Sequence, residues 1–216
     1  MRESRRLNHP MSAILENHVN SYPSKRLLDI LVSGTACITF APLAVGISLA
    51  AWLEDGKPPF FRQSRIGAHR RPFTILKFRS MHAGQVTRVG SWLRETGVDE
   101  LPQFVNVLRG DMSVVGPRPL TEYDVERLGW RTPEYDWRFT AKPGITGLSQ
   151  LLAGRGARFS ERVDRLYLQR QSLARDLRLI ALSFAVNLAG KRQVRRWLRS
   201  VARLSSSGSR AARSPS

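Results

Sequence analysis

The sequence predicts an α+β fold, mostly helical, in a monotopic membrane protein: an N-terminal re-entrant kinked helix leads into a small cytoplasmic domain. Three observations predict it. An uncharged apolar stretch with basic flanks carries Pro42 at its centre, short apolar runs alternate with turn residues after it, and later segments repeat apolar positions every three or four residues. The 216 residues suit one domain with appendages. A formal net charge of +18 makes the chain seek phosphates, whether of nucleic acid, anionic lipid headgroups or a phosphorylated substrate. Cys37 is the single cysteine, which excludes an intrachain disulfide, and the four histidines lack the spacing of a zinc site.

Residues 1–24 read as a polar lead-in, and residues 25–56 as the membrane helix. The stretch ILVSGTACITFAPLAVGISLAAWL holds no charge and is long enough for a bilayer core, which needs about 20 apolar residues. It starts too late and runs too long for a signal peptide. Lys25 and Arg26 before it, and Arg62, Arg65, Arg70, Arg71, Lys77 and Arg79 after it, draw both ends to the cytoplasm. Pro42 lacks the N–H that would bond the Ile38 carbonyl, so a helix break is expected there. Entry and exit on one face satisfy both features; an ordinary kinked span and a buried core helix stay open as alternatives.

The domain is expected over residues 57–190. KPPFFRQSRIG and RRPFTILKFRSM read as a strand pair or hairpin. From Ser91 the period turns helical through Trp92, Leu93, Leu101, Phe104 and Leu108. RGDMSVVGPRP reads as a turn, a short strand and a stiff loop, and KPGITGLSQ as another loop or strand. Residues from about 160 to 200 read as helices; residues 191–203, with Trp197, suit a basic membrane-surface segment, and residues 204–216 a disordered tail.

Asp99-Glu100-Leu101-Pro102-Gln103 is the central motif. Its plain reading is a helix N-terminus, with Asp99 as cap and Glu100 and Pro102 in the first turn. That end of a helix also attracts phosphate. Two carboxylates beside a phosphate call for a divalent cation such as Mg2+, and a carboxylate so placed can attack phosphorus. Pro117 and Pro119 stiffen the backbone around Arg118, presenting its guanidinium or leaving it as a solvated surface group. Lys77 and Arg79, at alternate positions, would share one strand face, toward phosphate or toward water. Arg94 can reach the same place or pair with Glu95 or Asp99. KPGITG lacks the spacing of a nucleotide P-loop.

Taken in order, the blocks KRLLDILVSGTACITFAPL, FFRQSRIG, FTILKFRSM, DELPQFVNVLRGDMSVVGPRP and KPGITGLSQ, with Asp164, Tyr167 and Asp176 behind them, resemble the bacterial sugar transferases, the monotopic phosphoglycosyl transferases, in their short form. The resemblance implies transfer of a sugar-1-phosphate from a UDP-sugar to a polyprenyl phosphate, typically undecaprenyl phosphate, with release of UMP. This is the first step of exopolysaccharide, O-antigen, capsule or other glycan assembly. It implies Mg2+ dependence, with Asp99 as nucleophile and metal partner and Glu100 completing the dyad. It further implies nucleotide contacts from Pro117, Arg118 and Pro119, a phosphate contact from Arg94, and weaker candidates in Lys77, Arg79, Gln150 and Arg155. The implied place is the bacterial inner (cytoplasmic) membrane, cytoplasmic face, among membrane lipids, with no nucleic acid partner and with a homo-oligomer left open. Where the family often has Ser-Pro at the helix break, this chain has Ala41-Pro42. The rival reading is a non-enzymatic, basic, membrane-anchored adaptor for lipid or nucleic acid.

Overall fold

The computed structural model describes residues 22–152 and 156–188. The lead-in up to residue 21, Arg155, the basic segment 191–203 and the tail 204–216 lie outside these residues. Helix α1 (Lys25–Asp55) carries Pro42 inside an unbroken helical run and ends at Gly56, whose positive φ of 67° closes the last turn. It is long and apolar enough to cross a membrane, yet only 11% of its most apolar window is buried in the protein. A core helix would hide those side chains, so the core-helix alternative is set aside.

Both ends of α1 are pinned to the same body. Near its start, Lys25 donates to Asp176 at 2.5 Å, to the Val115 carbonyl at 3.0 Å and to the Tyr167 hydroxyl at 3.2 Å. One turn on, Asp29 accepts from the Ser113 hydroxyl and the Val114 N–H, both at 2.9 Å. At the far end Arg79 forks onto Asp55, with its second bond at 2.6 Å, while Glu54 accepts the N–H of Arg88 at 2.7 Å. Between these anchorages residues 38–43, Pro42 included, are exposed all the way round. Lys25, Asp29 and Ser33, and again Ile47 and Ala51, are buried at four-residue spacing, which marks the face turned to the domain.

Strands β1 (Phe60–Ile66) and β2 (Pro72–Phe78) form the expected hairpin, with Arg62 opposite Leu76. At its tip His69 and Arg70 adopt φ of 52° and 57°, a left-handed backbone that non-glycine residues seldom take. A small ladder of β3 (Met81–His82) and β4 (Gln85–Val86) leads to α2 (Arg88–Thr96), capped by Thr87 and closed by Gly97. A three-residue 3-10 turn (Val98–Glu100) separates it from α3 (Gln103–Arg109). Asp99 is therefore not the cap of an α-helix: Gly97, at φ 78°, ends α2, the chain winds tightly through Asp99, and α3 begins only behind Pro102.

Strand β5 (Ser113–Val115) pairs in parallel with β6 (Gly144–Thr146). Between them lie α4 (Glu122–Arg127), with a Thr121–Asp124 capping box, and a 3-10 segment (Pro133–Phe139). Helices α5 (Leu148–Leu151), α6 (Ala157–Gln169) and α7 (Leu173–Leu188) follow. The main core joins Ile75, Val107, Met112, Val115, Trp137 and Leu168 from β2, α3, the loop before β5, β5, the 3-10 segment and α6. Behind β5 three glycines let backbones touch: a Cβ on Gly144 or Gly147 would collide with the backbone of Gly116, and one on Gly116 with the Lys142 carbonyl.

Candidate functional site

A small polar cleft forms where the hairpin, the Val98–Glu100 turn and the β5–β6 loops meet. It is lined by Arg65 of β1, Lys77 of β2, Glu100, Gln103, Arg118, Pro119 and Gln150. Lys77 reaches Glu100 at 2.8 Å, both side chains partly exposed, so the pair can open to a ligand.

The loop 117–119 is fixed carbonyl by carbonyl. The Pro117 carbonyl accepts the Gly144 N–H at 2.9 Å, that of Arg118 accepts the Arg138 guanidinium at 2.8 Å, and that of Pro119 accepts Arg65 at 3.1 Å. Both prolines are buried and the side chain between them is exposed, so a held backbone presents the Arg118 guanidinium outward. Arg138 is itself buried and pairs with buried Asp164 at 3.0 Å. Burial pulls the Arg138 guanidinium below its ordinary pKa, partly offset by Asp164.

Arg65 is the residue that motif reading passed over. Its guanidinium touches Gln63 at 2.6 Å and lies 3.8 Å from Asp124, yet its Nε is buried with no hydrogen-bond partner among the described residues. Burial, and then the nearby Arg118 charge, push its pKa down. Arginine does not give up its proton in practice, and the Asp124 and Glu100 carboxylates offset part of that push. The signal was present in the block FFRQSRIG, but only pairing across the hairpin turns that arginine toward Arg118.

Of the residues expected from sequence, the structure brings together Lys77, Glu100, Arg118, Pro119 and Gln150, with buried Pro117 bracing the loop. Asp99 precedes Glu100 in the turn and is partly buried, but does not line the cleft. Arg79 lies elsewhere: β2 ends at Phe78, so the alternation of faces stops before it, and its guanidinium is taken up by Asp55 and the Pro58 carbonyl. Arg94 is exposed in the last turn of α2. Among the described residues no three His, Cys, Asp or Glu gather as a metal cage. The adjacent Asp99 and Glu100 still suit Mg2+, which binds through one or two carboxylates and takes its other ligands from water and phosphate.

A groove of about 650 Å³ adjoins the cleft and shares Glu100, Arg118, Ile145 and Gln150 with it. Its other walls are mostly apolar, with Phe40 and Leu43 of α1, Leu101, Phe104, and Ile180 and Phe184 of α7, beside the polar Thr96, Thr146, Ser183 and Asn187.

Fold and cleft together define a membrane-associated protein with a cation-lined site at the head of an apolar groove. The chain belongs to the bacterial sugar transferase family, whose family model matches residues 20–190. It is 41% identical over 179 residues to a UDP-glucose:undecaprenyl-phosphate glucose-1-phosphate transferase of Caulobacter vibrioides, covering 72% of this chain and 66% of that one. It is 37% identical to a UDP-N-acetylgalactosamine-undecaprenyl-phosphate N-acetylgalactosaminephosphotransferase of Aeromonas hydrophila, over 77% of this chain and 44% of that protein. An exopolysaccharide production protein, PSS, of Rhizobium leguminosarum bv. phaseoli is 35% identical, with 72% and 90% covered. The chain thus spans less than two thirds of the first two relatives' lengths.

Proposed function

We propose that this protein transfers a sugar-1-phosphate from a UDP-sugar to a polyprenyl phosphate, undecaprenyl phosphate by the relatives' names, opening the assembly of an exopolysaccharide or related glycan. The observation that carries this reading is the union of a cationic cleft with an apolar groove at Glu100, Arg118 and Gln150. A diphosphate fits the first and a polyprenyl chain the second, so both substrates can meet at one phosphorus.

In this mechanism Arg118 and Arg65 hold the diphosphate, and Arg65 gains the partner its buried Nε lacks. The Asp99 carboxylate attacks the β-phosphorus, the bond from that phosphorus to the bridging oxygen breaks, and UMP leaves with the electron pair. A phosphate oxygen of the polyprenyl acceptor then attacks the same phosphorus and frees Asp99. Lys77 holds Glu100 in place beside the nucleophile. Mg2+, carried by Asp99 and Glu100, supplies neutralising charge when bound. Such chemistry depends on positioning and charge stabilisation more than on acid–base groups.

The membrane part of the proposal is a re-entrant α1 at the bacterial inner membrane, with the domain on the cytoplasmic face. Two ends pinned to one body support it, because a crossing helix would part them by about 30 Å of hydrocarbon. The exposed residues 38–43 then form the inserted apex around Pro42.

The test is UMP release and protein labelling with a UDP-sugar labelled in the sugar. Wild type should release UMP and carry label, and Asp99→Asn should do neither; equal release by Asp99→Asn removes Asp99 from the role. Cysteines placed at Ser24 and Lys57 in a Cys37→Ser background should both react from the cytoplasmic side, whereas labelling from opposite sides refutes the re-entrant helix.

A further inference from the structure

A second cavity, of about 510 Å³, shares no lining residue with the cleft or the groove. It is walled by the first turn of α1, the β1–β2 tip, the loop after α3, Lys142 and Gln171. The Arg26 guanidinium there donates to the Val107 and Leu108 carbonyls at 2.6 and 2.8 Å, neutral partners that leave its charge uncancelled. Its Nη2 and the Lys142 ammonium converge on one point: a Cβ on Gly110 would lie 3.8 Å from the first and 3.5 Å from the second. Arg71, exposed on the rim, adds a third cation, and among the described residues none of the three forms an ion pair.

Like charges gathered at one point repel unless an anion lies among them. Two carboxylates also line the cavity, Asp29 bonded on its inner side by Ser113 and Val114 and Asp111 by the Asn106 amide at 3.2 Å, so the three cations outnumber the acids that face them by one. Gln171 contributes the complementary demand: its Oε1 is buried and lacks a donor among the described residues. A ligand that suits both carries a phosphate and, close to it, a hydroxyl or ammonium. Lys25 and Arg26 open the membrane helix and Asp29 lies one turn on, so on the membrane-bound reading of α1 the cavity would stand at headgroup depth.

From these features we infer that the cavity is a binding site for the phosphodiester headgroup of a membrane phospholipid, distinct from the acceptor-lipid groove. Arg26, Arg71 and Lys142 take the phosphate and Gln171 accepts from the headgroup donor. The inference rests on the membrane-bound reading of α1, but not on the transfer reaction.

The experiment equilibrates the full chain, delipidated in detergent, with mixed micelles of phosphatidylglycerol and phosphatidylcholine, repurifies it and quantifies phospholipid per chain by mass spectrometry. Wild type should keep about one phosphatidylglycerol, and Arg71→Glu and Lys142→Glu should each lower retention about five-fold, the scale of one basic side chain on anionic lipid. Arg162→Glu, an exposed charge on α6 outside the cavity, should change nothing. Unchanged retention in Arg71→Glu and in Lys142→Glu, or an equal loss in Arg162→Glu, overturns the site. Displacement by millimolar inorganic phosphate would assign it to free phosphate and overturn the lipid. The assay contains no UDP-sugar, so a failure of UMP release is read separately from a failure here.

Discussion

Two buried ion pairs invite comparison. Lys25–Asp176 sits where α1 meets the domain, and Arg138–Asp164 sits beneath the loop that presents Arg118. Both are nearly shut off from solvent and both have a neutral third partner, but they hold different things. The first is met by the Tyr22 and Tyr167 hydroxyls at 2.9 and 3.0 Å and binds the start of a membrane helix to α6 and α7. The second spends its spare N–H on one carbonyl of the site. Buried pairs add little net stability over an apolar replacement, while breaking one leaves a stranded charge. Their use here is to fix position: one sets the start of α1 against α6 and α7, the other sets the loop that presents Arg118.

The sharpest way to break the comparison is Asp176→Ala. It strands Lys25 and should cost about 3–5 kcal/mol in denaturant unfolding, with the domain loosened from α1. A Lys25→Met, Asp176→Leu double variant should recover most of that loss; no recovery would mean that the pair does more than position. Next comes Arg65, a half-buried cation whose nearest carboxylate, Asp124, stands 3.8 Å away and is itself partly exposed. Arg65→Ala should weaken UDP-sugar binding by about 1.5–3 kcal/mol, seen as a rise in KM, and leave unfolding nearly unchanged.

Arg138→Lys sharpens the other side of the comparison. It keeps a charge beside Asp164 but cannot fork to the Arg118 carbonyl, so KM for UDP-sugar should rise about ten-fold, with little change in kcat. A fall in melting temperature without a KM change would make the pair structural only. The smallest effect belongs to the α4 cap. Burial pushes the Asp124 carboxyl up, but Thr121 and then Arg127 outweigh it and hold its pKa below the ordinary 3.8. A lowered folded pKa stabilises above that value and is lost as pH falls through it. Thr121→Ala should therefore cost about 1 kcal/mol near neutral pH, and Asp124's share of that difference should fade in acid.

The hairpin and the β5 strand with its stiff loop were legible in sequence, while the grouping of Lys77, Glu100, Arg118 and Gln150 was implied only by the family resemblance. The hairpin and β5 each lie in a block whose turn residues and apolar runs act locally. What was hidden depends on distant pairing. Arg65 looked like one of many arginines until the register placed it beside Pro119. Lys77 and Arg79 looked equivalent until the strand ended between them and Arg79 turned to Asp55. Asp99 carried every local sign of a helix cap, and Gly97 shifted the helix start past it. The large groove has no sequence signature, since its walls come from both ends of the chain.

The glycine contact between the loop after β5 and the loops around β6 has a consequence for heredity. Gly116, Gly144 and Gly147 bring the two backbones together with no room for even a methyl group, so neither segment can shift without the other. A hybrid that takes residues 113–119 from a distant relative and keeps its own 142–150 would join two surfaces shaped by separate histories. Exchanges that alter this site while keeping the protein active should carry both segments together, although more than twenty residues of ordinary chain lie between them.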